Sequence, residues 1–235
     1  MIKRVQVHGY KSLEDVDVEL QPLTVVFGPN AAGKSNLFDV LALLSRVVTR
    51  GKTIDEAFKQ HRGYPIEAFS FGREGIDGLR KRRTARFDVQ VDVELADEVV
   101  RSVERTIQQM RQPGEIERRR VTERYLRYSV ALEIQTETGY LGIVDEKLEA
   151  LTKDGQSKAS RPAFIEKVGN KLRLRLEGQA RPTEHDIGLS YTLASQPLYA
   201  PHYPHITAFQ EELSRWRFYY LEPDAMRADA PLKTV

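Results

Sequence analysis

The pattern of apolar and polar positions predicts strands and amphipathic helices along most of the chain. Near the N-terminus, residues 2–8 and 16–20 alternate apolar with polar side chains, which is typical of half-buried strands. The continuous apolar, β-branched run at 23–27 predicts a buried strand. Apolar residues then recur at helical spacing from Leu37 to Val48 and predict a helix with one apolar face. The N-terminal region therefore predicts two strands, a buried third strand and a helix.

The middle of the chain predicts a region rich in antiparallel strands. Residues 51–80 are mixed and contain several glycines that indicate turns. Residues 86–95 alternate most regularly and predict an amphipathic strand, and 99–110 show one apolar helix face. Residues 128–135 and 140–144 predict a hairpin, because a Thr-Glu-Thr-Gly turn joins them.

The remaining segments carry weaker patterns. Residues 146–149 predict either a short helix or the end of a strand, and 152–162 a polar loop or hairpin tip. Residues 172–176 alternate leucine with arginine, as an exposed strand does. Towards the C-terminus, 206–216 predict a helix and 217–221 an apolar strand.

The chemistry of the chain centres on the segment between the third strand and its helix. Residues 28–35 fit the pattern G-x-x-x-x-G-K-[ST]. Glycines let backbone N–H groups turn around a phosphate, and the helix N-terminus adds partial positive charge. Lys34 would reach the β- and γ-phosphates, and the Ser35 hydroxyl would ligate Mg²⁺. An ordinary glycine-rich turn does not explain why Lys and Ser follow Gly33, so the pattern predicts ATP and Mg²⁺ as ligands.

Composition limits the remaining possibilities. The chain has 235 residues, of which 40% are hydrophobic and 30% charged, so it is long enough for a sizeable core. No run approaches the roughly 18 apolar residues of a membrane span, and no signal peptide precedes the first strand. The absence of cysteine excludes disulfides and thiolate metal sites. We therefore expect a cytoplasmic protein, and its net charge of +2 gives no argument for nucleic-acid binding.

The opening of the chain resembles a known family. Residues 5–13, 23–27 and 28–37 are together similar to the start of the SMC/RecF-like ABC-type ATPases. The branch with OLD-family nucleases and predicted anti-phage AAA-family ATPases is most similar, and its loop reads G-P-N-A-[SG]-G-K-S-N. Here Ala32 stands at the variable place. The resemblance implies an α/β P-loop NTPase fold of the ABC/SMC-head type, with an antiparallel β-rich lobe after the first helix.

The resemblance also implies roles for individual residues. Lys34 is the expected catalytic residue, and Ser35 the expected metal ligand. Lys11 and Ser12 stand where the family places residues beside the base and sugar of the nucleotide. The expected cofactor-binding set is Gly28, Asn30, Ala31, Ala32, Gly33, Lys34, Ser35, Asn36, Lys11 and Ser12.

Other parts of an ABC-type site do not stand out in the sequence. No L-S-x-G signature occurs, and Gly188-Leu189-Ser190-Tyr191 is the nearest string. Residues 141–146 and 218–223 imitate the apolar strand that ends in Asp-Glu, but 141–146 fit a hairpin arm better and 218–223 lack the aspartate. The glutamine loop is undecided among Gln60, Gln90 and Gln135. We therefore expect the C-terminal half of the ATPase core to lie beyond Val235.

These expectations divide the chain into three parts within one N-terminal ATPase lobe. Residues 2–50 hold the first strands, loop and helix, 84–177 the β-rich lobe with an inserted helix, and 178–235 a loop-rich segment with a helix and a strand. The resemblance implies an ATP-sandwich dimer, with itself or with a related ATPase chain, coupled to DNA repair or anti-phage defence. We expect ATP hydrolysis by the full-length protein but not by this chain alone.

Two other functions compete with this interpretation. A transporter's nucleotide-binding subunit would need a signature and a membrane partner, and a small-molecule P-loop kinase would need a second substrate but no dimer. The basic runs at 80–83 and 118–120 could contact DNA, although solvated surface explains them better. The histidines do not have metal-binding spacing, and His202-x-x-His205 is interrupted by Pro204. Three aromatic residues are expected to pack in the core: Tyr199, Tyr203 and Trp216.

Overall fold

A computed structural model describes residues 1–110, 120–177 and 181–219 of the chain. The fold is α/β, and its eight strands form one antiparallel sheet in the order β2-β1-β3-β4-β5-β6-β7-β8. The strands are β1 (Ile2–Tyr10), β2 (Leu13–Glu19), β3 (Thr84–Glu94), β4 (Tyr125–Gln135), β5 (Leu141–Ala150), β6 (Ile165–Val168), β7 (Lys171–Leu174) and β8 (Thr183–Asp186). The α-helices are α1 (Lys34–Val47), α2 (Ile54–Phe58), α3 (Gly75–Lys81), α4 (Asp97–Met110) and α5 (Pro204–Ser214).

The core lies between one face of this sheet and helix α1. Val7, Val89 and Val130 occupy one row across β1, β3 and β4, and all three side chains are buried. Val40 and Val47 of α1 meet this face across a small void. The helix forms here because its apolar residues fall on one stripe, which the sheet removes from water.

The opposite face of the sheet carries polar side chains that pair across neighbouring strands. Arg4 of β1 donates to Asp17 of β2, and Arg127 of β4 donates to Asp92 of β3 through Nε at 2.7 Å and Nη2 at 2.6 Å. Arg4 and the glutamine Gln6 hold the pKa of Asp17 at about 2 by donating hydrogen bonds to its ionised form. Such pairs fix the register of the sheet as well as adding stability.

Most of the predicted elements are confirmed, with shifted boundaries. The predicted hairpin is β4–β5, and residues 146–149 belong to strand β5 rather than to a helix. The mixed segment 51–80 contains α2, most of α3 and two short 3₁₀ helices, at Pro65–Ala68 and Gly72–Glu74. The predicted strand at 217–221 extends into residues outside the described part of the chain, so it stays a prediction.

The prediction of a buried strand at 23–27 is wrong for this structure. Leu23, Val25 and Phe27 are 84%, 74% and 90% exposed. No described strand pairs with this extended segment, and no backbone hydrogen bond joins residues 23–27 to another described residue. The sequence pattern is that of a strand covered on both faces, but the described residues contain nothing that covers it.

The C-terminal helix closes the fold near the chain's first residue. Helix α5 packs against α4 and contacts α1. The buried carboxylate of Glu212 accepts a hydrogen bond from the N-terminal amine of Met1 at 2.7 Å and another from the backbone N–H of Ala96 at 2.9 Å. These two contacts connect the end of the described chain to the start of the sheet and to the helix α4 region.

Candidate nucleotide-binding site

The loop at 28–33 is closed at its end by Gly33, which precedes the first turn of α1. Gly33 has a φ of 86°, in the left-handed region that favours glycine. A Cβ at this position would lie 2.9 Å from the Ser12 hydroxyl. Glycine is therefore required here by both the backbone conformation and the close approach of the β1–β2 turn. The first N–H groups of a helix have no partner within it, so those of α1 are available to an anion at this end.

The predicted catalytic lysine lies within this loop. The Lys34 ammonium donates to the backbone carbonyls of Gly28 at 2.9 Å and Pro29 at 2.7 Å. Ser35 follows it in the first turn of α1 and is exposed. Three residues of the preceding loop are exposed as well: Asn30, Ala31 and Ala32. The charge of Lys34 and the Ser35 hydroxyl are thus placed at one helix end, where a triphosphate and a hard cation would bind together.

The β1–β2 turn, which contains Lys11 and Ser12, lies against this helix end. Asn36 donates through Nδ2 to the Ser12 hydroxyl at 2.8 Å. The Lys11 ammonium donates to the buried carboxylate of Asp39 and to the carbonyl of Arg62, each at 3.2 Å. Because Asp39 is one turn after Asn36 on α1, the helix holds the turn at two points. The structure therefore brings Lys11, Ser12 and Asn36 to the same end of α1.

Two buried polar residues near this turn, Asp39 and His61, have no role in the site that the sequence predicts. The Tyr10 hydroxyl lies 2.7 Å from Nε2 of His61. Burial lowers the pKa of His61 to about 4, with the positive charge of Lys11 acting in the same direction. The ring is therefore neutral at pH 7. The one sequence signal for Asp39 is that it interrupts the apolar run of α1.

The carboxylate of the 141–146 segment is a structural group in this fold. A bulge in β5 shifts the register, so that Glu146 joins the inner row opposite Val130 and is fully buried. It accepts hydrogen bonds from the Tyr128 hydroxyl at 2.9 Å and from the N–H groups of Leu193 and Ala194 at 2.6 and 2.8 Å. Burial raises its pKa to about 7 although these donors act to lower it. Glu146 thus caps the 3₁₀ helix Leu193–Ser195 from within the core.

The other candidate motifs have structural surroundings. The string 188–191 runs beside β5, where the N–H of Ile143 donates to the Leu189 carbonyl at 2.8 Å and the N–H of Gly188 donates to the Ile143 carbonyl at 2.6 Å. His205 is buried; its Nε2 accepts from the N–H groups of Thr122 and Glu123, and its Nδ1 lies 2.6 Å from Glu177. Tyr203 and Trp216 pack partly buried against the core, whereas Tyr199 is more exposed.

The remaining sequence candidates have no site of their own in the described structure. Gln90 donates to Gln6 on the polar face of the sheet, and the other glutamine-loop candidates lie after α2 and at the end of β4. The basic run 80–83 lies at the surface, at the end of α3. Residues 118, 119 and 220–223 of the other candidate segments lie outside the described residues.

Among the residues that the structure describes, no group of three or more histidine, aspartate or glutamate side chains is arranged to hold a metal ion. No helix there is long and apolar enough to cross a membrane.

Part of this chain is similar in sequence to known proteins. Residues 23–98 match the family model described as "AAA domain, putative AbiEii toxin, Type IV TA system". An OLD nuclease from Thermus scotoductus is 46% identical over 44 residues, which cover 19% of this chain and 8% of that protein. The DNA replication and repair protein RecF from Bacteroides thetaiotaomicron is 30% identical over 95 residues, covering 37% of this chain and 26% of that protein.

The resemblance to the SMC/RecF/OLD-like ATPases is confirmed. The region that matches the AAA family model contains the loop at 28–33 and helix α1. The antiparallel sheet with α1 behind the loop is consistent with a P-loop NTPase-type fold. The chain spans about a quarter or less of the length of these relatives.

Proposed function

We propose that this chain is the ATP–Mg²⁺-binding module of an SMC/RecF/OLD-like ATPase, in which ATP drives dimerisation coupled to a DNA-directed activity. The observation that carries the proposal is the loop itself. Gly33 ends it in the left-handed conformation, and Lys34 begins α1 with its ammonium held among the loop carbonyls. The site lies within the region that matches the AAA family model.

Each loop residue has a proposed role in binding. Lys34 exchanges its two carbonyl partners for the β- and γ-phosphates, because a doubly charged phosphate is the stronger acceptor. The N–H groups of Gly28 and of 30–33 turn towards the phosphates, and those of Ser35 and Asn36 add the positive end of the helix. When bound, Mg²⁺ supplies charge neutralisation between the phosphates, and Ser35 offers it a hydroxyl ligand.

We further propose that this chain provides one half of a shared catalytic site. The L-S-x-G signature does not occur in the sequence. Among the described residues, Glu146 ends the one apolar Asp-Glu segment, and its carboxylate is fully buried and used as a cap. A second subunit that places a signature motif and a water-positioning carboxylate over the loop would complete the site.

The exposed segment 23–27 supports the same proposal. No described residue covers the apolar side chains of Leu23, Val25 and Phe27. We propose that further strands of the ATPase core, contributed by polypeptide outside the described residues, pair with this segment. Both faces of the strand would then be buried, as its apolar sequence predicts. We also propose that the whole protein acts on DNA in the cytoplasm, in repair or in anti-phage defence.

Nucleotide-dependent dimerisation is the experiment that tests this function. Size-exclusion chromatography of the full-length protein with and without ATP and Mg²⁺ should show a dimer only with ATP, and Lys34→Ala should remain monomeric. A monomer under all conditions, with ATP still bound, would favour a small-molecule kinase. A variant distant from the loop, such as Lys171→Ala on the exposed β7–β8 hairpin, serves as the matched loss of a lysine.

A further inference from the structure

The segment 61–70 lies along the β1–β2 turn, which contacts the N-terminal end of α1. The backbone N–H of Lys11 donates to the carbonyl of Ala68 at 2.9 Å, and that of Ser70 to the carbonyl of Gly9 at 2.8 Å. Tyr10 and Phe69 form an isolated bridge between the two segments. The segment is therefore fixed to the same turn that contacts Gly33 and Asn36.

The near end of this segment is held beside α1 by charged and polar contacts. Lys11 joins the Arg62 carbonyl to the carboxylate of Asp39 on α1. His61 lies 2.7 Å from the Tyr10 hydroxyl. Tyr64 is two residues after Arg62, so its Cα lies within about 7 Å of the Arg62 Cα. Tyr64 is thus close in the chain to the contact that Lys11 makes between Arg62 and α1.

The backbone around Tyr64 is held in one conformation. Its N–H donates to the carboxylate of Glu67 at 2.8 Å, and Pro65 fixes the next φ angle. Gly63 has a φ of 92°, and a Cβ there would lie 2.2 Å from the Glu67 carboxylate. The turn therefore requires glycine at 63 and holds the aromatic residue without any packing of its ring.

The side chain of Tyr64 itself is 76% exposed. A large aromatic ring on a fixed turn beside a charged phosphate site has one evident use in a nucleotide-binding protein. Every base has a π-face, and stacking on an aromatic ring needs no hydrogen-bond readout. We propose that Tyr64 is the base-stacking residue of this site and that 61–67 form its base-recognition loop.

This inference rests on the proposed function, because it requires a nucleotide whose phosphates occupy the loop at 28–35. Ser12 and Lys11 would then lie between the phosphates and the base, where the ribose passes. The specificity that follows is for a purine over a pyrimidine nucleotide, since the larger ring system stacks over more area.

Titration calorimetry of the full-length protein with ATP and Mg²⁺, and separately with inorganic tripolyphosphate and Mg²⁺, tests the assignment. Tyr64→Ala should weaken ATP binding roughly 5- to 100-fold and leave tripolyphosphate binding unchanged. Tyr64→Phe should retain the wild-type affinity for ATP, because the ring is kept. Tyr140→Ala, which removes another exposed tyrosine from the β4–β5 turn, should also bind ATP normally.

Three outcomes would overturn the assignment. If Tyr64→Ala binds ATP as tightly as the wild type, the ring does not contact the base. If it dimerises less but binds ATP normally, Tyr64 belongs to a protein interface instead. If the wild type binds tripolyphosphate but gains nothing from the base of ATP, the base is unrecognised while phosphate binding stands. Failure of the wild type to bind either ligand would refute the proposed function itself, and the stacking assignment with it.

Discussion

The two sides of helix α1 differ in how many of the neighbouring side chains have packing or hydrogen-bond partners in the fold. On the sheet side, Leu44 and Val47 are buried against β3 and β4, and even the carboxylate of Glu146 has its hydrogen bonds filled. On the loop side, Leu23 and Phe27 are as apolar as any core residue but lie exposed. The difference teaches that apolar sequence alone does not make a core. The first region contains its own partners, and the second has none among the described residues.

The sharpest contrast between the two regions is the cost of removing an apolar side chain. Leu44→Ala should lower the free energy of unfolding by about 2–5 kcal/mol, because it removes buried contacts and leaves a cavity. Phe27→Ala removes a larger side chain, but it should change this free energy by less than about 0.5 kcal/mol in the 235-residue chain. Urea denaturation of both variants measures the difference. Equal losses would show that residue 27 is buried in solution and would abolish the contrast.

The buried carboxylate should be the next largest contributor. Glu146→Ala leaves the hydroxyl of Tyr128 and two backbone N–H groups without their acceptor, so we expect a loss of about 2–3 kcal/mol. Asp145→Ala, on the adjacent residue that faces the polar side of the sheet, should cost less than about 0.5 kcal/mol. Chemical denaturation at a single pH compares the two. A small effect at 146 would contradict the capping role.

Glu146 in the core and His61 on the nucleotide side should make stability change with pH in opposite directions. The folded pKa of Glu146 is about 7, above its ordinary value of 4.5, so its contribution to stability falls as pH rises from about 4.5 to 7. The folded pKa of His61 is about 4, below its ordinary value of 6.5, so its contribution is complete above pH 6.5 and is lost as pH falls towards 4.

The two effects oppose each other between about pH 4.5 and 6.5, so single substitutions should reveal each one. Relative to the wild type, stability of Glu146→Gln should rise more steeply with pH in this window, since only the His61 effect remains. Stability of His61→Gln should fall with pH instead. Unfolding curves collected at half-unit pH intervals provide the test. Unchanged slopes in both variants would show that neither group titrates differently in the folded state.

The smallest expected signal is catalytic. The 235-residue chain should release phosphate from ATP at no more than the rate of the Lys34→Ala variant, because the described structure holds no water-positioning carboxylate at the loop. A steady-state phosphate assay measures this. Turnover at an ordinary ATPase rate that Lys34→Ala abolishes would mean that one chain holds a complete catalytic site.

The sequence predicts the self-contained region well, because local pattern and tertiary surroundings agree there. Alternation identifies β3 and the β4–β5 hairpin, and helical spacing identifies α1 and α5. The sequence-based prediction fails at 23–27. The apolar pattern there predicts a buried strand, but the described residues leave the segment exposed. The β5 bulge that turns Glu146 inward has no sequence signal, since one extra residue changes the face without changing the composition.

The candidate site is predictable to a similar degree. The phosphate-loop pattern and the resemblance identify residues 28–36 with Lys11 and Ser12. The contacts that hold them together are not visible in the sequence, because Asp39 and His61 meet the β1–β2 turn only in the folded chain. Neither residue belongs to the loop pattern, so a motif search does not find them.

Binding of ATP with Mg²⁺ to the wild type and to Lys34→Ala tests the central claim most directly. Titration calorimetry of the full-length protein should show saturable binding to the wild type at one site per chain. The affinity should fall at least about tenfold in Lys34→Ala, because a charge-assisted contact to phosphate is lost. Stability without nucleotide should be nearly unchanged, since the partially exposed Lys34 contacts only loop carbonyls. Equal affinity in both proteins, or no binding to the wild type, would contradict the account.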